Sequence, residues 1–133
     1  MKQYLFTYGT LSTGVIPREI APTFKKLKYV GDGVVNGKLY DLGDFPGIVL
    51  SKSPRNKVHG HIFELPDDPS ILANLDEYEE FSAQRHASSL FIRKQIPVQI
   101  AGGTRVKCWI YVYNREVSRS DLIPSGDYAQ IAA

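Results

Sequence analysis

The chain has 133 residues, 43% hydrophobic and 23% charged, with a formal net charge of +2 and a single cysteine, Cys108. That length suits one domain, expected over residues 1–133, with one core that buries roughly two-thirds of the unfolded surface. Near-neutral charge gives no footprint for nucleic acid, one cysteine excludes an intrachain disulfide, and no segment approaches the roughly 18 apolar residues of a membrane span. With no apolar stretch for a signal peptide at the N-terminus, the expected location is the cytoplasm and no membrane partner is expected.

In chain order, Gln3–Tyr8 is the first predicted strand and runs straight into Gly9-Thr10-Leu11. A strand that ends in glycine can bring its following backbone N–H groups close to a ligand, because glycine has no side chain to keep the ligand away. Such a turn can hold a carboxylate or phosphate, and it can equally be an ordinary turn. A short helix is expected over Arg18–Lys28, made irregular by Pro22, and Lys25, Lys26 and Lys28 read as a solvated face. Tyr29–Val35 and Lys38–Leu42 follow as strands with Asn36-Gly37 between them as a tight-turn signal, then Gly47–Leu50 and Val58–Leu65.

Asp68–Glu80 is the clearest helix: Asp67 or Asp68 caps it, Pro69 suits its first turn, and Ile71, Leu72, Leu75 and Tyr78 recur at helical spacing. Leu90–Ile100 and Arg105–Tyr113 flank Ala101-Gly102-Gly103-Thr104 as a hairpin, with Cys108 as a small buried side chain of the second strand. Ser118–Ala133 has little periodicity and is expected to wrap the surface. Six or seven strands with one good helix indicate an α+β domain on a curled, mostly non-local sheet.

The Asp68–Glu80 helix carries Asp76, Glu77, Glu79 and Glu80 near its end. At about 100° per residue, Glu79 falls about 50° from the centre of the apolar stripe, Asp76 about 110°, and Glu77 and Glu80 about 150°. One acid of the four is therefore expected to point inward. Removal from water raises a carboxylate pKa, and the negative end of the helix dipole acts in the same direction. Such a group suits a general base near neutral pH. The other reading of Glu79 is a partly buried carboxylate satisfied by a neighbour such as Arg93.

Four motifs occur in order: Tyr8-Gly9-Thr10-Leu11, the run Gly37 to Gly47 that includes Tyr40 and Phe45, Leu75-Asp76-Glu77-Tyr78-Glu79, and Leu90-Phe91-Ile92-Arg93. Together they resemble the gamma-glutamylcyclotransferase-like family, in particular its short gamma-glutamylamine cyclotransferase branch, over about Tyr4 to Tyr113. The resemblance implies a small mixed β-barrel with flanking helices. It also implies cyclisation of a small-molecule gamma-glutamyl amide to 5-oxoproline with release of an amine, needing no metal or cofactor. Glu79 matches the acid/base position, and the Tyr8, Gly9, Thr10, Leu11 loop matches the segment that holds the substrate carboxylate. Tyr40 and Phe45 are assigned to the pocket wall, and Arg93 either orients Glu79 or stays a surface charge. The chain departs from the family pattern at Glu80, where glycine commonly follows the glutamate, and at Phe91, where tyrosine is frequent. Ser125-Gly126-Asp127-Tyr128 looks like the family's C-terminal Gly-Asp-aromatic segment.

Other readings are weaker. Gly9 to Gly14 has the glycine spacing of a phosphate loop, but Val15 and Ile16 stand where Lys and Ser or Thr are needed. The Gly31-Asp32-Gly33 run lacks the third glycine of a dinucleotide fingerprint. His59 and His61 share a strand face with no third metal ligand nearby in sequence, and no Gly-x-Ser-x-Gly motif supports a serine hydrolase. The serious rival is a domain of the same fold that binds a small metabolite or a protein without turnover.

Overall fold

A computed structural model describes residues 2–9, 16–100 and 102–128; Thr10 and Leu11 lie outside the described residues. The elements are β1 (Gln3–Thr7), α1 (Ala21–Phe24), β2 (Lys28–Asp41), β3 (Pro46–Leu50), β4 (Lys57–Leu65), α2 (Pro69–Tyr78), β5 (Phe91–Ile100), β6 (Arg105–Tyr113) and β7 (Leu122–Ile123). A 3₁₀ segment, Ala83–Ser88, joins α2 to β5.

The strand order is β3-β2-β4-β1-β6-β5, and pairing of Gly33 with Ile100 and Val34 with Gln99 joins β2 back to β5. Five strands therefore close into a barrel. The β1–β6 pair is parallel and the other pairs are antiparallel, so the barrel is mixed, as the resemblance implies.

Period-2 alternation splits the barrel wall cleanly. From β6, Cys108, Ile110 and Val112 point inward to pack with Phe6, Leu39, Val58 and Ile62, while Trp109, Tyr111 and Tyr113 point outward. The outward residues meet Leu5, Ile71 and Leu75 in a second apolar cluster under α1 and α2. Cys108 is fully buried, and burial pushes its thiol pKa up to about 12, which fits a packing residue and not a nucleophile.

Two expectations are corrected here. Asn36-Gly37 forms no turn: both residues belong to the 14-residue strand β2, with Asn36 opposite Lys57 and Gly37 opposite Leu50. At this point β2 changes partner from β4 to β3, and a Cβ at position 37 would lie 3.0 Å from the Val49 carbonyl oxygen. Glycine is there for close strand approach. The C-terminal segment is also more than a surface wrap, since β7 pairs with Leu39 and Tyr40 and buries Ile123 in the barrel core. β5 and β6 do pair as a hairpin, with Gly102 and Gly103 at positive φ and Ile100 N–H donating to the Thr104 carbonyl at 2.8 Å; Ala101 lies outside the described residues.

Candidate active site

Helix α2 begins as its sequence dictates. Asp68 is the N-cap and accepts from the Ser70 N–H at 3.0 Å, with Pro69 in the first turn. Ile71 and Leu75 press on the outer barrel wall. The helix ends at Tyr78, leaving Glu79 as C-cap. Phe81 N–H donates to the Asp76 carbonyl at 2.9 Å and Glu80 N–H to that of Glu77 at 3.2 Å, the paired bonds of a Schellman ending. That ending needs a left-handed residue, and Glu80 supplies it at φ 56°.

A non-glycine residue held there is strained by roughly 1 kcal/mol. Glu80→Gly should therefore stabilise the fold by about 0.5–1 kcal/mol, read as a higher midpoint of urea unfolding with unchanged slope.

The Glu79 side of this ending opens on a cavity in the seam between barrel and helix. Its walls are the end of β1 with the two residues after it (Leu5 to Gly9), the Phe45–Pro46 bend, Tyr78 to Glu80 of the helix end, and Leu90, Phe91 and Tyr111. Among the described residues the Glu79 carboxyl has no hydrogen-bond or ion-pair partner. Burial alone raises its pKa from 4.5 to about 7. A carboxyl in this range exchanges protons readily at neutral pH.

Gly9 packs against Pro46, and a Cβ at position 9 would lie 2.9 Å from Pro46 Cγ. The absence of a side chain thus lets β1 run under the Phe45–Pro46 bend. Phe45, Phe91 and Tyr113 form a ring ladder with centroids 5.7 and 5.5 Å apart, giving the cavity an apolar wall. The strand that carries Phe91 is anchored by Ser89, whose hydroxyl donates to the Arg85 carbonyl at 2.9 Å and whose own carbonyl accepts from Asn114.

The candidate residues are not all used in the expected way. Tyr8, Gly9, Phe45 and Glu79 come together around the cavity. The Tyr8 side chain, however, turns into the barrel: its hydroxyl donates to the Tyr111 carbonyl and accepts from Ile48 N–H at 3.4 Å. Its phenol pKa rises, first through burial and second through the charge of Glu79. Tyr40 does not line this cavity; it is buried where β2 lies between β3 and β7.

Arg93 neither orients Glu79 nor stays a surface charge. Its Nε lies 3.3 Å from Asp76 Oδ1, an ion pair by distance without hydrogen-bond alignment, and its guanidinium carbon is 4.5 Å from the Trp109 ring centroid. Asp76, expected to face sideways, is drawn in by this pairing and by the Tyr111 hydroxyl, which donates to the same oxygen at 2.7 Å. Two of the four acids therefore serve the interior, not one. Tyr111 was missed by sequence reasoning, although the Trp109, Tyr111, Tyr113 alternation on β6 marks an aromatic outer face.

His61 Nε2 faces Asp32 Oδ1 at 3.4 Å, and among the described residues no group of three metal-ligating side chains occurs. Nor, among the described residues, is any helix long and apolar enough to cross a membrane.

The barrel is closed and mixed, and at its outer seam the shielded Glu79 carboxyl borders a small-molecule-sized cavity. The family model described as gamma-glutamyl cyclotransferase, AIG2-like, matches residues 5–130, and the chain belongs to that family. It is 32% identical over 113 residues to a gamma-L-glutamyl-butirosin B gamma-glutamyl cyclotransferase of Niallia circulans, covering 84% of this chain and 67% of that protein. Solved structures share the fold. An AIG2-like protein from Mus musculus superposes with TM-score 0.68 at 21% identity, over 90% of this chain and 82% of that one. YkqA from Bacillus subtilis superposes with TM-score 0.69 at 19% identity, over 96% of this chain but only 40% of YkqA. The protein is thus a gamma-glutamylcyclotransferase-like enzyme.

Proposed function

We propose that the protein converts a gamma-glutamyl amine or peptide to 5-oxoproline and a free amine by intramolecular attack, with Glu79 as general acid/base. The observation that carries this reading is the shielded Glu79 carboxyl, without a hydrogen-bond or ion-pair partner among the described residues, on the same cavity as the end of β1. The substrate brings its own nucleophile, an alpha-amine that is protonated in neutral water. Glu79 takes a proton from that ammonium, and the neutral nitrogen attacks the gamma-carbonyl carbon, closing the five-membered ring. As the bond from that carbon to the departing nitrogen breaks, Glu79 returns its proton to that nitrogen. It then takes the second proton from the attacking nitrogen, leaving the lactam N–H, and passes it to the departing amine, which leaves as an ammonium.

Folding the gamma-glutamyl group so that nitrogen and carbonyl meet supplies much of the rate. In this reading backbone N–H groups of the Tyr8–Leu11 segment hold the substrate carboxylate and stabilise the developing oxyanion. The apolar wall of Phe45 and Phe91 receives the leaving amine. None of these steps calls on a cofactor.

The test is incubation with a panel of gamma-glutamyl amines and dipeptides while following 5-oxoproline by mass spectrometry. Turnover is expected, and its kcat/KM should rise with pH along a limb centred near 7. Below that pH the carboxyl is protonated and cannot accept the ammonium proton; above it the carboxylate can. Saturable binding without product would instead support the metabolite-binding alternative.

A further inference from the structure

A polar chain beside the cavity is not used by the chemistry above. Tyr111 lines the cavity from β6 and gives its hydroxyl proton to Asp76. Asp76 and Arg93 line no part of that cavity; they border a separate groove along α2, with Glu64 and Leu72. Each has a side chain about one-fifth exposed, and Arg93 is packed against Trp109 and, at 5.8 Å, Phe81. Asp76 is thus fixed from the far side and presents one oxygen to Tyr111.

A tyrosine hydroxyl has a single proton to donate. Three tyrosines feel the charge of Glu79: Tyr8 from β1, Tyr78 on α2 and Tyr111 from β6. The Tyr8 proton is committed to the Tyr111 carbonyl, and the Tyr111 proton to Asp76. Among the described residues lining the cavity Glu80 is the other charged one, the charge of Glu19 also acts on Tyr78, and the Asp76–Arg93 pair lies beyond Tyr111. Tyr111 and Glu79 line the same cavity and the Glu79 charge acts on Tyr111, so a Tyr111 hydroxyl not held by Asp76 would have the Glu79 carboxylate as a competing acceptor.

We propose that Asp76, held by Arg93, is a positioning residue that draws the Tyr111 hydroxyl away from Glu79 and so keeps that carboxylate open to the substrate ammonium. The inference rests on Glu79 being the proton acceptor of the proposed reaction. A hydrogen bond donated to an ionised carboxylate stabilises the charged form, lowering its pKa and weakening it as a base. It would also occupy the oxygen that the ammonium must reach.

The deciding measurement is the titration of Glu79 followed by carboxyl ¹³C NMR on the full chain, with the resonance assigned by its loss in Glu79→Gln. Asp76→Ala should lower the Glu79 midpoint by about one pH unit and shift the acid limb of kcat/KM with it. Adding Tyr111→Phe to Asp76→Ala should return the midpoint to its wild-type position. A midpoint that does not move in Asp76→Ala, or that falls equally in the double variant as simple charge removal would cause, overturns the proposal. Where Asp76→Ala fails to fold, Tyr111→Phe alone decides: an unmoved midpoint supports it, and a raised one shows the hydroxyl already serving Glu79 and overturns it. Absence of 5-oxoproline from every substrate would sink the functional reading, while the NMR midpoints still judge the role of Asp76.

Discussion

Glu79→Gln should lower kcat by about 10³-fold and at the same time make the protein more stable at alkaline pH. Glutamine keeps the shape of the side chain and cannot shuttle a proton, so the loss should fall on kcat far more than on KM. The stability gain has a definite sign. In the folded protein the carboxyl pKa is raised from 4.5 to about 7, so folding favours the protonated form. Below about pH 4 both folded and unfolded chains hold the proton and the penalty vanishes. It grows as pH rises through that interval and is complete above the folded value, where it reaches up to about 3 kcal/mol. Urea unfolding of both proteins at acid and alkaline pH checks this. A variant that stays active, or that gains nothing at alkaline pH, would remove Glu79 from its role.

Gly60→Ala should destabilise the fold by about 3 kcal/mol and weaken substrate binding in whatever folded protein remains. A Cβ at position 60 would sit 2.1 Å from the Thr7 carbonyl oxygen and 2.7 Å from the Phe6 ring. The first is backbone of the neighbouring strand, where Thr7 pairs with His61, so it cannot swing aside. The second ring is fully buried in the barrel. Relief requires β1 to move away from β4, and the end of β1 is a wall of the cavity. Gly31→Ala is the control, because its Cβ would only touch Ile100 at 3.9 Å; it should change stability by less than about 0.5 kcal/mol. Denaturant midpoints and KM, measured together, separate the two outcomes.

Local rules read well where a residue answers to its own neighbours in sequence. The Asp68 cap, Pro69, the apolar stripe of α2 and the inward tilt of Glu79 all follow from helical periodicity, and Glu79 lies one residue beyond the last helical turn. The glycine pair at 102 and 103 announced its hairpin for the same reason. Long-range pairing was not legible. Asn36-Gly37 has the composition of a tight turn, but two different strands, β4 and β3, claim its backbone.

Side-chain partners from distant segments were hidden in the same way. Arg93 and Asp76 are 17 positions apart, and nothing local says that Tyr111 and Trp109 would fix both. Tyr8 directly follows a strand whose residue Phe6 enters the barrel, and its ring goes inward in the same alternation while the residue still borders the cavity. Tyr40 was assigned to the pocket by motif, while the fold buries it between β3 and β7.

The barrel lumen is filled by Phe6, Leu39, Val58, Ile62, Val98 and Ile110, whereas Leu5, Phe45, Leu90, Phe91 and Tyr111 beside Glu79 belong to the outer cluster, and Phe6 and Tyr8 border both. Among the described residues, lumen and cavity therefore meet only along β1 and the residue after it, at Phe6 and Tyr8. Redesign of amine selectivity could exchange Phe45 or Leu90, which sit on connecting segments, and leave the lumen's interlocked packing intact.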